Sequence, residues 1–356
     1  MLCLGIETSC DETALALVRD GRLVGEKIAS QARAHSVFGG VVPELASRKH
    51  LTGIASLYAS LLHETRTESA EIDRVCVSRG PGLLGSLLVG LGFAKGLALG
   101  LNVPLIGVNH LHAHLLAPGL RDELVFPCVG LLVSGGHTQI YRIESSLDFQ
   151  LLGRTLDDAA GEAFDKVAKC LNLPYPRGVQ IDRLACGVAR PAADLFPVPY
   201  MDNDNLDFSF SGLKTAAANY IRAHPEIVPR NMSAAGMDDL PPGLNEVCAA
   251  FNRSVVLALC RKLERALKRH AVGSVVVAGG VAANGMLRER LKDMTASRGV
   301  DLVLPEIGLC TDNGAMIAYA GYLLAELGLS HGLELEAVPR GRPMPRDYIQ
   351  DARRTE

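Results

Sequence analysis

The order of apolar and polar segments predicts an α/β protein made of two similar halves. In each half, short apolar runs separated by a polar turn predict a strand meander, and helical and strand patterns then alternate. The 356 residues, 48% hydrophobic and 21% charged, have a globular composition. A typical domain holds about 150 residues, so we expect two domains.

In the first half, the pattern predicts three strands, a helix, a strand, a helix and a strand. The segments are 2–7, 14–18, an apolar run after Asp20-Gly21, a helix from Pro43, 74–78, a Gly-rich helix at 83–100 and 104–108. The second half repeats strand, polar turn, strand and strand before its helices. Its segments are 128–133, 138–143, 149–156, helices at 162–171 and 245–270, a strand at 274–278, a further helix, 301–304 and a last helix at 313–327.

Two βββαβαβ-like halves indicate an internal duplication, which is typical of the two-lobed actin/sugar-kinase/Hsp70 (ASKHA) fold. In that fold the hairpin turns face a nucleotide in a cleft between the lobes, so the turns TSCDET and SGGHT are the first candidates for a site. We expect four segments: an N-terminal lobe at 1–122, a C-terminal lobe at 123–311 with an insertion at about 174–244, a return helix at 312–330, and an Arg-rich tail at 331–356.

Charge and cysteine usage exclude several classes of protein. The net charge of −3 and pI of about 6.4 leave no global basic field for nucleic acid, so any RNA contact must be local. Nine scattered cysteines without a CxxC pair indicate reduced, mostly buried thiols and not a disulfide frame or a zinc ribbon. The N-terminus lacks a basic signal-peptide region, and the apolar run from Gly82 to Ala94 is shorter than the ~20 residues of a membrane span. We therefore expect a soluble, cytoplasmic protein without membrane contact.

A candidate metal site lies in NHLHAHL, directly after a predicted strand. If this segment is helical, His110 and His114 share one face and can bind one cation, whereas His112 points elsewhere. Asp312 in CTDNGAMIA either caps the last helix or completes the ligand set. Two histidines and one carboxylate suit Fe(II), with Zn(II) as the alternative, although such histidines are also common in a core or on a surface.

The turn TSCDET carries adjacent acids, Asp11 and Glu12. Acids in a turn are usually solvated. If they face a bound nucleotide, they can act as a general base or bind a cation.

Two glycine pairs follow buried strands. Ser134, Gly135, Gly136 and His137 form either a plain hairpin turn that needs positive φ or a nest of amides for phosphate or an oxyanion. In VVVAGGVAANGM, Gly279 and Gly280 would admit adenine or ribose. Asn284 either contacts a nucleoside edge or caps the next helix. No GxxxxGK[ST] motif is present, which excludes a P-loop NTPase.

Three further residues are candidates for binding substrate. Asp165 lies on a predicted helix where the ion pairs Glu162–Lys166 and Asp165–Lys169 would explain the charged residues equally well. Asp165 is a candidate for binding substrate only if it faces the cleft. Gly178 in YPRGVQID suggests a tight backbone turn. Asp182 could either cap a helix or bind a hydroxyl group of the substrate.

The motifs GIETSCDETALAL, HSVFGGVVPELASRKH, NHLHAHLLAP, LLVSGGHTQI, DDAAGEAFDKVAK, FSFSGLKTA, GGVAANGMLR and CTDNGAMIA resemble, in order and spacing, the bacterial TsaD (Gcp) family. These are tRNA N6-adenosine threonylcarbamoyltransferases, once labelled O-sialoglycoprotein endopeptidases. The resemblance spans about residues 4–327. It implies transfer of threonylcarbamoyl from threonylcarbamoyl-AMP to N6 of the adenosine 3′ of the anticodon, in tRNAs that read codons beginning with A.

The resemblance also implies residue roles and partners. His110, His114 and Asp312 match the family's metal ligands, and Asp11 and Glu12 match acids important for activity. The matching substrate-contacting positions are Leu132, Val133, Ser134, Gly135, Gly136, Asp165, Gly178, Asp182 and Asn284. The implied partners are tRNA, a smaller inactive paralogue (TsaB-like) and an ATPase subunit (TsaE-like).

Arg177 and Arg79 depart from the family pattern at positions where relatives more often have glycine or a small residue. Three other functions stay open as alternatives. A metalloprotease would need the glutamate of HExxH, but Leu111 follows His110. An ATPase of the same fold would favour oxygen ligands for Mg-ATP. A scaffold subunit would be expected to lack the metal ligands and glycines that this chain has.

Overall fold

The structure is a computed structural model that describes residues 1–174, 177–188, 191–192, 194–230 and 240–350. Two compact units are formed by Met1–Leu124 with Thr311–Glu356 and by Val125–Cys310. The expected domain limits at 122 and 311 remain predictions. Parts of the expected insertion at 174–244 and tail at 331–356 lie outside the described residues.

The strands are β1 (Leu2–Glu7), β2 (Glu12–Arg19), β3 (Arg22–Ser30), β4 (Arg74–Gly80), β5 (Leu105–Asn109), β6 (Cys128–Val133), β7 (Thr138–Ile143), β8 (Phe149–Arg154), β9 (Ser274–Ala278), β10 (Asp301–Val303), β11 (Leu329–Ser330) and β12 (Ile349–Gln350). The helices are α1 (Ala32–Ser36), α2 (Pro43–Thr65), α3 (Leu84–Leu101), α4 (His110–Leu116), α5 (Ala160–Cys170), α6 (Arg177–Ala185), α7 (Ser211–Ala223), α8 (Leu244–Arg269), α9 (Gly285–Ala296) and α10 (Gly314–Glu326). The strands and helices predicted from the sequence are confirmed, with ends that differ by a few residues.

Each unit contains a five-stranded mixed sheet, and the two sheets have the same topology. The first unit has the order β3-β2-β1-β4-β5 and the second has the corresponding order β8-β7-β6-β9-β10. In both, the first two strands pair antiparallel and the first strand pairs parallel with the fourth. The internal duplication predicted from the pattern is therefore confirmed.

Apolar side chains on these elements form a core in each unit. Leu4, Ile6, Leu15, Leu17 and Val77 belong to the core of the first unit. The core of the second unit includes Val129, Leu131, Val133, Phe164 and Phe251. Because β1 and β6 are buried along their whole length, the polar turns that follow them are held on rigid supports.

The helix α3 confirms the Gly-rich helix predicted at 83–100, and it extends beyond the apolar run of 82–94. It continues past Lys95 to Leu101, and among the described residues it is the one helix long and apolar enough, by length and composition, to cross a membrane. Its small residues Ser86, Gly90, Ala94 and Ala98 are buried, and a Cβ on Gly90 would lie 2.2 Å from Thr8 Oγ1. This stripe therefore packs inside its own unit.

The helix α10 brings the end of the chain onto the first sheet. A Cβ on Gly5 would lie 2.4 Å from the backbone N of Ala318, and one on Gly314 would lie 2.6 Å from the backbone N of Ala16. Only glycine permits so close an approach of helix and strand backbones. The close packing fixes the N-terminal end of α10 beside the first strands.

Candidate active site

The short helix α4 places two histidines on one face. It begins directly after β5, and the side-chain oxygen of Asn109 accepts hydrogen bonds from the backbone N–H groups of Leu111 and His112, at 2.9 and 3.4 Å. The rings of His110 and His114 consequently lie one turn apart and meet edge to face, with centroids 4.7 Å apart. The predicted helical spacing of these two histidines is confirmed.

The carboxylate of Asp312 meets both imidazoles. Its Oδ1 lies 3.0 Å from Nε2 of His114 and 3.6 Å from Nε2 of His110. The cap of α10 comes instead from the next residue, because the side-chain oxygen of Asn313 accepts from the backbone N–H of Met316 at 2.7 Å. The alternative in which Asp312 caps the helix is therefore wrong.

A buried glutamate that sequence reasoning missed completes this cluster. Glu7 is fully buried at the end of β1, and its Oε2 lies 2.9 Å from Nδ1 of His110. The hydroxyl of Ser9 lies 3.2 Å from the same nitrogen. A carboxylate on Nδ1 orients the ring and leaves Nε2 for another ligand. The sequence feature that could have indicated a functional role for Glu7 is that a charged residue ends an otherwise apolar strand.

The electrostatics of His110 reflect these neighbours. Burial lowers the pKa of His110, but the charges of Glu7 and Asp312 and the hydrogen bond to Glu7 outweigh it and raise the pKa to about 9. The metal-free protein therefore holds a proton on this imidazole at neutral pH. Such acidic surroundings attract a cation.

The donor set tests whether a metal fits. One ligand atom from each of His110, His114 and Asp312 lies within 4.8 Å of the others. Two imidazole nitrogens, one carboxylate oxygen and a second carboxylate behind the first histidine suit a divalent transition metal. His114 lacks the support that Glu7 gives to His110, since its buried Nδ1 has no hydrogen-bond partner in the part of the chain that the structure describes.

Of the acids of the first turn, Asp11 is buried and Glu12 is partly buried, so the expectation of a solvated turn is wrong for Asp11. Asp11 is only 7% exposed, and its Oδ2 has no hydrogen-bond partner among the described residues. Glu12 begins β2 and accepts a hydrogen bond from the Ser30 hydroxyl at 3.1 Å. Burial, followed by the charges of Asp11 and Asp312, raises the pKa of Glu12 to about 9. Both acids thus belong to the electrostatic environment of the metal-type cluster.

A second missed residue, His50 on α2, supports this turn. Its Nδ1 lies 2.7 Å from the Thr13 hydroxyl, and its Nε2 lies 2.9 Å from the backbone carbonyl oxygen of Cys10. Burial lowers the pKa of His50, which favours the neutral imidazole. The imidazole of His50 therefore contacts the turn on both sides of Asp11, at Cys10 and at Thr13.

In the second unit, the turn after β6 is closed by its own serine. The Ser134 hydroxyl accepts from the N–H groups of His137 at 3.1 Å and Gly136 at 3.4 Å, and the Ser134 N–H donates to the His137 carbonyl at 2.8 Å. The pair thus lies in a hairpin turn, but neither Gly135 nor Gly136 has the positive φ that was expected of it. Leu132 and Val133 are fully buried in β6, and only their backbone can face a ligand.

Two glycines let neighbouring elements approach this turn. A Cβ on Gly161, at the start of α5, would lie 2.7 Å from the carbonyl oxygen of Ser134. Gly279 has a φ of +92°, and a Cβ there would lie 2.4 Å from the carbonyl oxygen of Val133. Gly280 begins the 3₁₀ turn that follows. The β6–β7 turn, the start of α5 and the segment after β9 therefore converge.

Gly178 does not form the tight turn expected from the sequence. It lies in the first turn of α6, where its N–H donates to Oδ1 of Asp165 at 3.1 Å. A Cβ there would lie 3.4 Å from Cβ of Phe164, so glycine allows α6 to lie close to α5. Of the two expected ion pairs on α5, the one between Glu162 and Lys166 is confirmed at 2.7 Å.

Asp182 and Asn284 lie in one polar network between α6, α8 and α9. Asp182 accepts from the N–H of Gly285 at 3.0 Å and from the side chain of Asn252 at 3.3 Å. Asn284 caps α9 by accepting from the N–H of Leu287 at 2.9 Å, and its amide nitrogen donates to Asn252 at 2.8 Å. Burial raises the pKa of Asp182. The cap expected as one alternative for Asn284 is confirmed.

The predicted site residues thus form two sets, each within one unit. Asp11, Glu12, His110, His114 and Asp312 lie together in the first unit. The second unit contains the remaining candidates, namely Leu132 to His137, Asp165, Gly178, Asp182, Gly279, Gly280 and Asn284.

Residues 22–319 match the family model described as TsaD, tRNA N6-adenosine threonylcarbamoyltransferase. The chain belongs to the TsaD family. It is 62% identical over 357 residues to the tRNA N6-adenosine threonylcarbamoyltransferase of Nitratidesulfovibrio vulgaris, covering 98% of each chain. It is 46% identical over 340 residues to the same enzyme of a Geobacter species, covering 95% of this chain and 96% of the relative.

Solved structures confirm the fold class of this TsaD-family chain. Component A of the (R)-2-hydroxyglutaryl-CoA dehydratase of Acidaminococcus fermentans superposes with a TM-score of 0.53 at 15% identity, covering 92% of this chain and 99% of the other. HypF of T. kodakarensis gives a TM-score of 0.54 at 14% identity, covering 92% and 47%. The chain therefore has the ASKHA-type α/β fold predicted from its pattern.

Proposed function

We propose that this protein transfers the threonylcarbamoyl group from threonylcarbamoyl-AMP to N6 of the adenosine 3′ of the anticodon in tRNAs that read codons beginning with A, releasing AMP. The observation that carries this proposal is the cluster of His110, His114 and Asp312, brought together from distant parts of a chain that matches the TsaD family over residues 22–319. The relatives named for this reaction cover nearly the whole chain.

The reaction needs a group that accepts a proton. The adenine amino group is a poor nucleophile because its lone pair is delocalised into the ring, and it must lose a proton as the new bond to the carbamoyl carbon forms. Asp11 and Glu12 are the proposed acceptors. In the metal-free protein the pKa of Glu12 is raised to about 9, so its carboxyl group is protonated at neutral pH and can accept a proton only once it has ionised.

His110, His114 and Asp312 would hold one divalent cation, which we propose is Fe(II), with Zn(II) as the alternative. A cation bound there supplies Lewis-acid polarisation of an oxygen of the acyl donor. Glu7 fixes the ring of His110 in the orientation that presents Nε2. The positive charge would also lower the pKa of Glu12, since it offsets the charge of Asp312.

The second unit is proposed to bind the AMP part of the donor. The exposed turn offers the backbone amide of Gly135 to a phosphate or a developing oxyanion, while the amides of Gly136 and His137 already donate to Ser134. The exposed Gly280 is proposed to leave room for a nucleoside, and Gly279 lets its segment approach β6. The hydrogen bond from Gly178 to Asp165, and the bonds of Asp182 and Asn284 to Asn252, support a role of these four residues in shaping this binding region.

We also propose a cytoplasmic location and two partner subunits, an inactive TsaB-like paralogue and a TsaE-like ATPase. The two partner subunits are those that the family resemblance implies. Leu84 and Leu88 on α3 are 49% and 53% exposed, and this apolar surface would be covered by the paralogue.

The proposal is tested in a strain in which this chain replaces the strain's own chromosomal copy of the enzyme. Mass spectrometry of tRNA nucleosides should detect threonylcarbamoyladenosine with the natural chain, and the modification should fall below about 1% with His110→Ala or Asp312→Ala, because each removes a metal ligand. His63→Ala, at an exposed histidine at the end of α2, is the matched control. Absence of the nucleoside with the natural chain would refute the function, whereas normal levels in both ligand variants would refute the metal assignment.

A further inference from the structure

The Arg-rich tail forms a defined strap on the first unit. The strap, residues 331–350, leaves β11 and returns through β12, which pairs antiparallel with β11. At its start, the N–H of His331 donates to the carbonyl of Leu105 at 2.7 Å, and Nδ1 of His331 accepts from the N–H of Gly107 at 3.1 Å. The strap is thus fixed to β5 at its start and to β11 at its end.

Arg79, the residue that departs from the family pattern, anchors the strap. Its side chain is buried, 3% exposed, and donates to both carboxylate oxygens of Asp347, at 2.5 and 3.1 Å. Its Nε donates to the carbonyl of Glu336 at 3.3 Å, and its own carbonyl accepts from the N–H of Val338 at 2.7 Å. A bidentate pair between a buried guanidinium and a half-exposed carboxylate is geometrically specific, so it holds the strap at Asp347.

The strap runs beside the metal-type cluster. Pro339 bridges to Gly82, and the N–H of Arg340 donates to the Gly82 carbonyl at 3.1 Å. A Cβ on Gly82 would in turn lie 2.6 Å from the carbonyl of Ser9, whose hydroxyl contacts His110.

Three arginines on the strap are exposed and carry uncompensated charge. Arg340, Arg342 and Arg346 are exposed, and among the described residues none of them has an ion pair. Exposed arginines elsewhere do pair, such as Arg19 with Glu71 and Arg48 with Glu44.

We propose that Arg340, Arg342 and Arg346 bind the phosphate backbone of the substrate tRNA beside its acceptor adenosine, and that the Arg79–Asp347 pair holds them in position. The inference rests on the proposed function, which makes tRNA the substrate. One arginine is enough for the single phosphate of a small donor. Three charges spread over seven residues of an anchored strap suit a polyanion, and a chain of net charge −3 needs such a local contact.

The first test removes charge from the strap. The full chain, loaded with metal and assembled with its partner subunits, is titrated with unmodified tRNA at several salt concentrations. Arg340→Gln/Arg346→Gln should weaken binding about tenfold or more and reduce the slope of log K against log salt by about 1.5, because each phosphate contact contributes about 0.7–0.9. Arg22→Gln/Arg48→Gln, which makes the same charge change at exposed positions elsewhere in the first unit, should leave the slope unchanged.

The second test separates positioning from net charge. Asp347→Ala makes the protein less negative, so simple charge attraction predicts tighter tRNA binding. The anchored strap predicts weaker binding, by about threefold or more, with Asp347→Glu recovering part of the loss. Thermal unfolding of each variant verifies that the chain is folded.

Clear outcomes would overturn the proposal. An unchanged tRNA affinity and an unchanged salt slope in the double arginine variant would contradict the proposed contact between the strap and RNA. A raised KM for threonylcarbamoyl-AMP with unchanged tRNA binding would assign the arginines to the donor instead. Unchanged or tighter binding by Asp347→Ala would remove the positioning role of the pair. Because tRNA binding is measured without acyl transfer, these results are distinct from a failure of the natural chain to form the modified nucleoside.

Discussion

The β1–β2 turn and the β6–β7 turn occupy the same topological position in two sheets of the same strand order, yet they carry opposite chemistry. The first turn has two acids, the buried Asp11 and the partly buried Glu12, in the same unit as Glu7 and the histidines of α4. The second turn, Ser134 to His137, has no acid and exposes Gly135. The comparison teaches that the same strand framework can carry an acidic turn in one unit and a glycine-containing turn without acids in the other.

The largest expected effect concerns the close packing behind the second turn. In Gly279→Ala, the new Cβ would meet the Val133 carbonyl at 2.4 Å and the residue would keep a φ of +92°, so we expect a loss of about 2–4 kcal/mol in the free energy of unfolding. Denaturant titration measures it. Gly135→Ala is the matched control, because nothing lies within 4 Å of its Cβ position. Equal stability of the two variants would show that the turn tolerates a shift of the segment after β9.

A smaller effect is expected behind the first turn. Glu7→Gln removes the charge on Nδ1 of His110 while keeping its size, and we expect metal affinity to fall about 10- to 100-fold. Competition with a chelator measures the affinity. Glu44→Gln, at an exposed glutamate paired with Arg48, is the control. Unchanged affinity would mean that α4 alone orients the imidazole.

The smallest of the three effects is a dependence on pH in the cation-binding unit. With a pKa of about 9, His110 must lose a proton to bind metal, so affinity should rise about tenfold per pH unit from pH 7 to pH 9. The metal-free fold should show the opposite trend. Since the pKa of His110 in the folded protein exceeds the ordinary histidine value of 6.5, the stability that this group contributes is present below pH 6.5 and is lost as pH rises through about 9. Calorimetry in buffers of different ionisation heat measures the released proton, and its absence at pH 7 would indicate a neutral His110.

The secondary structure and much of the metal-type cluster could be predicted because they depend on local periodicity. The spacing of His110 and His114 is a property of any helix, and strand alternation revealed the duplicated order. Gly178 was misjudged because the pattern YPRGVQID does not reveal that an Asp165 carboxylate receives its N–H. The burial of Asp11 was missed because composition favours solvated acids in turns.

The sequence by itself determined the two-fold α/β pattern, the family and the shared helix face of His110 and His114, since these follow from residue order and short-range spacing. Only the tertiary structure decided that Glu7 supports His110, that Asp312 meets the histidines while Asn313 caps α10, and that Arg79 anchors the strap through Asp347. The physical reason is that the contacts of Glu7 with His110, of Asp312 with His114 and of Arg79 with Asp347 join residues about 100 to 270 positions apart. No local preference encodes such a meeting; the packing of α10 and of the strap onto the first sheet creates it.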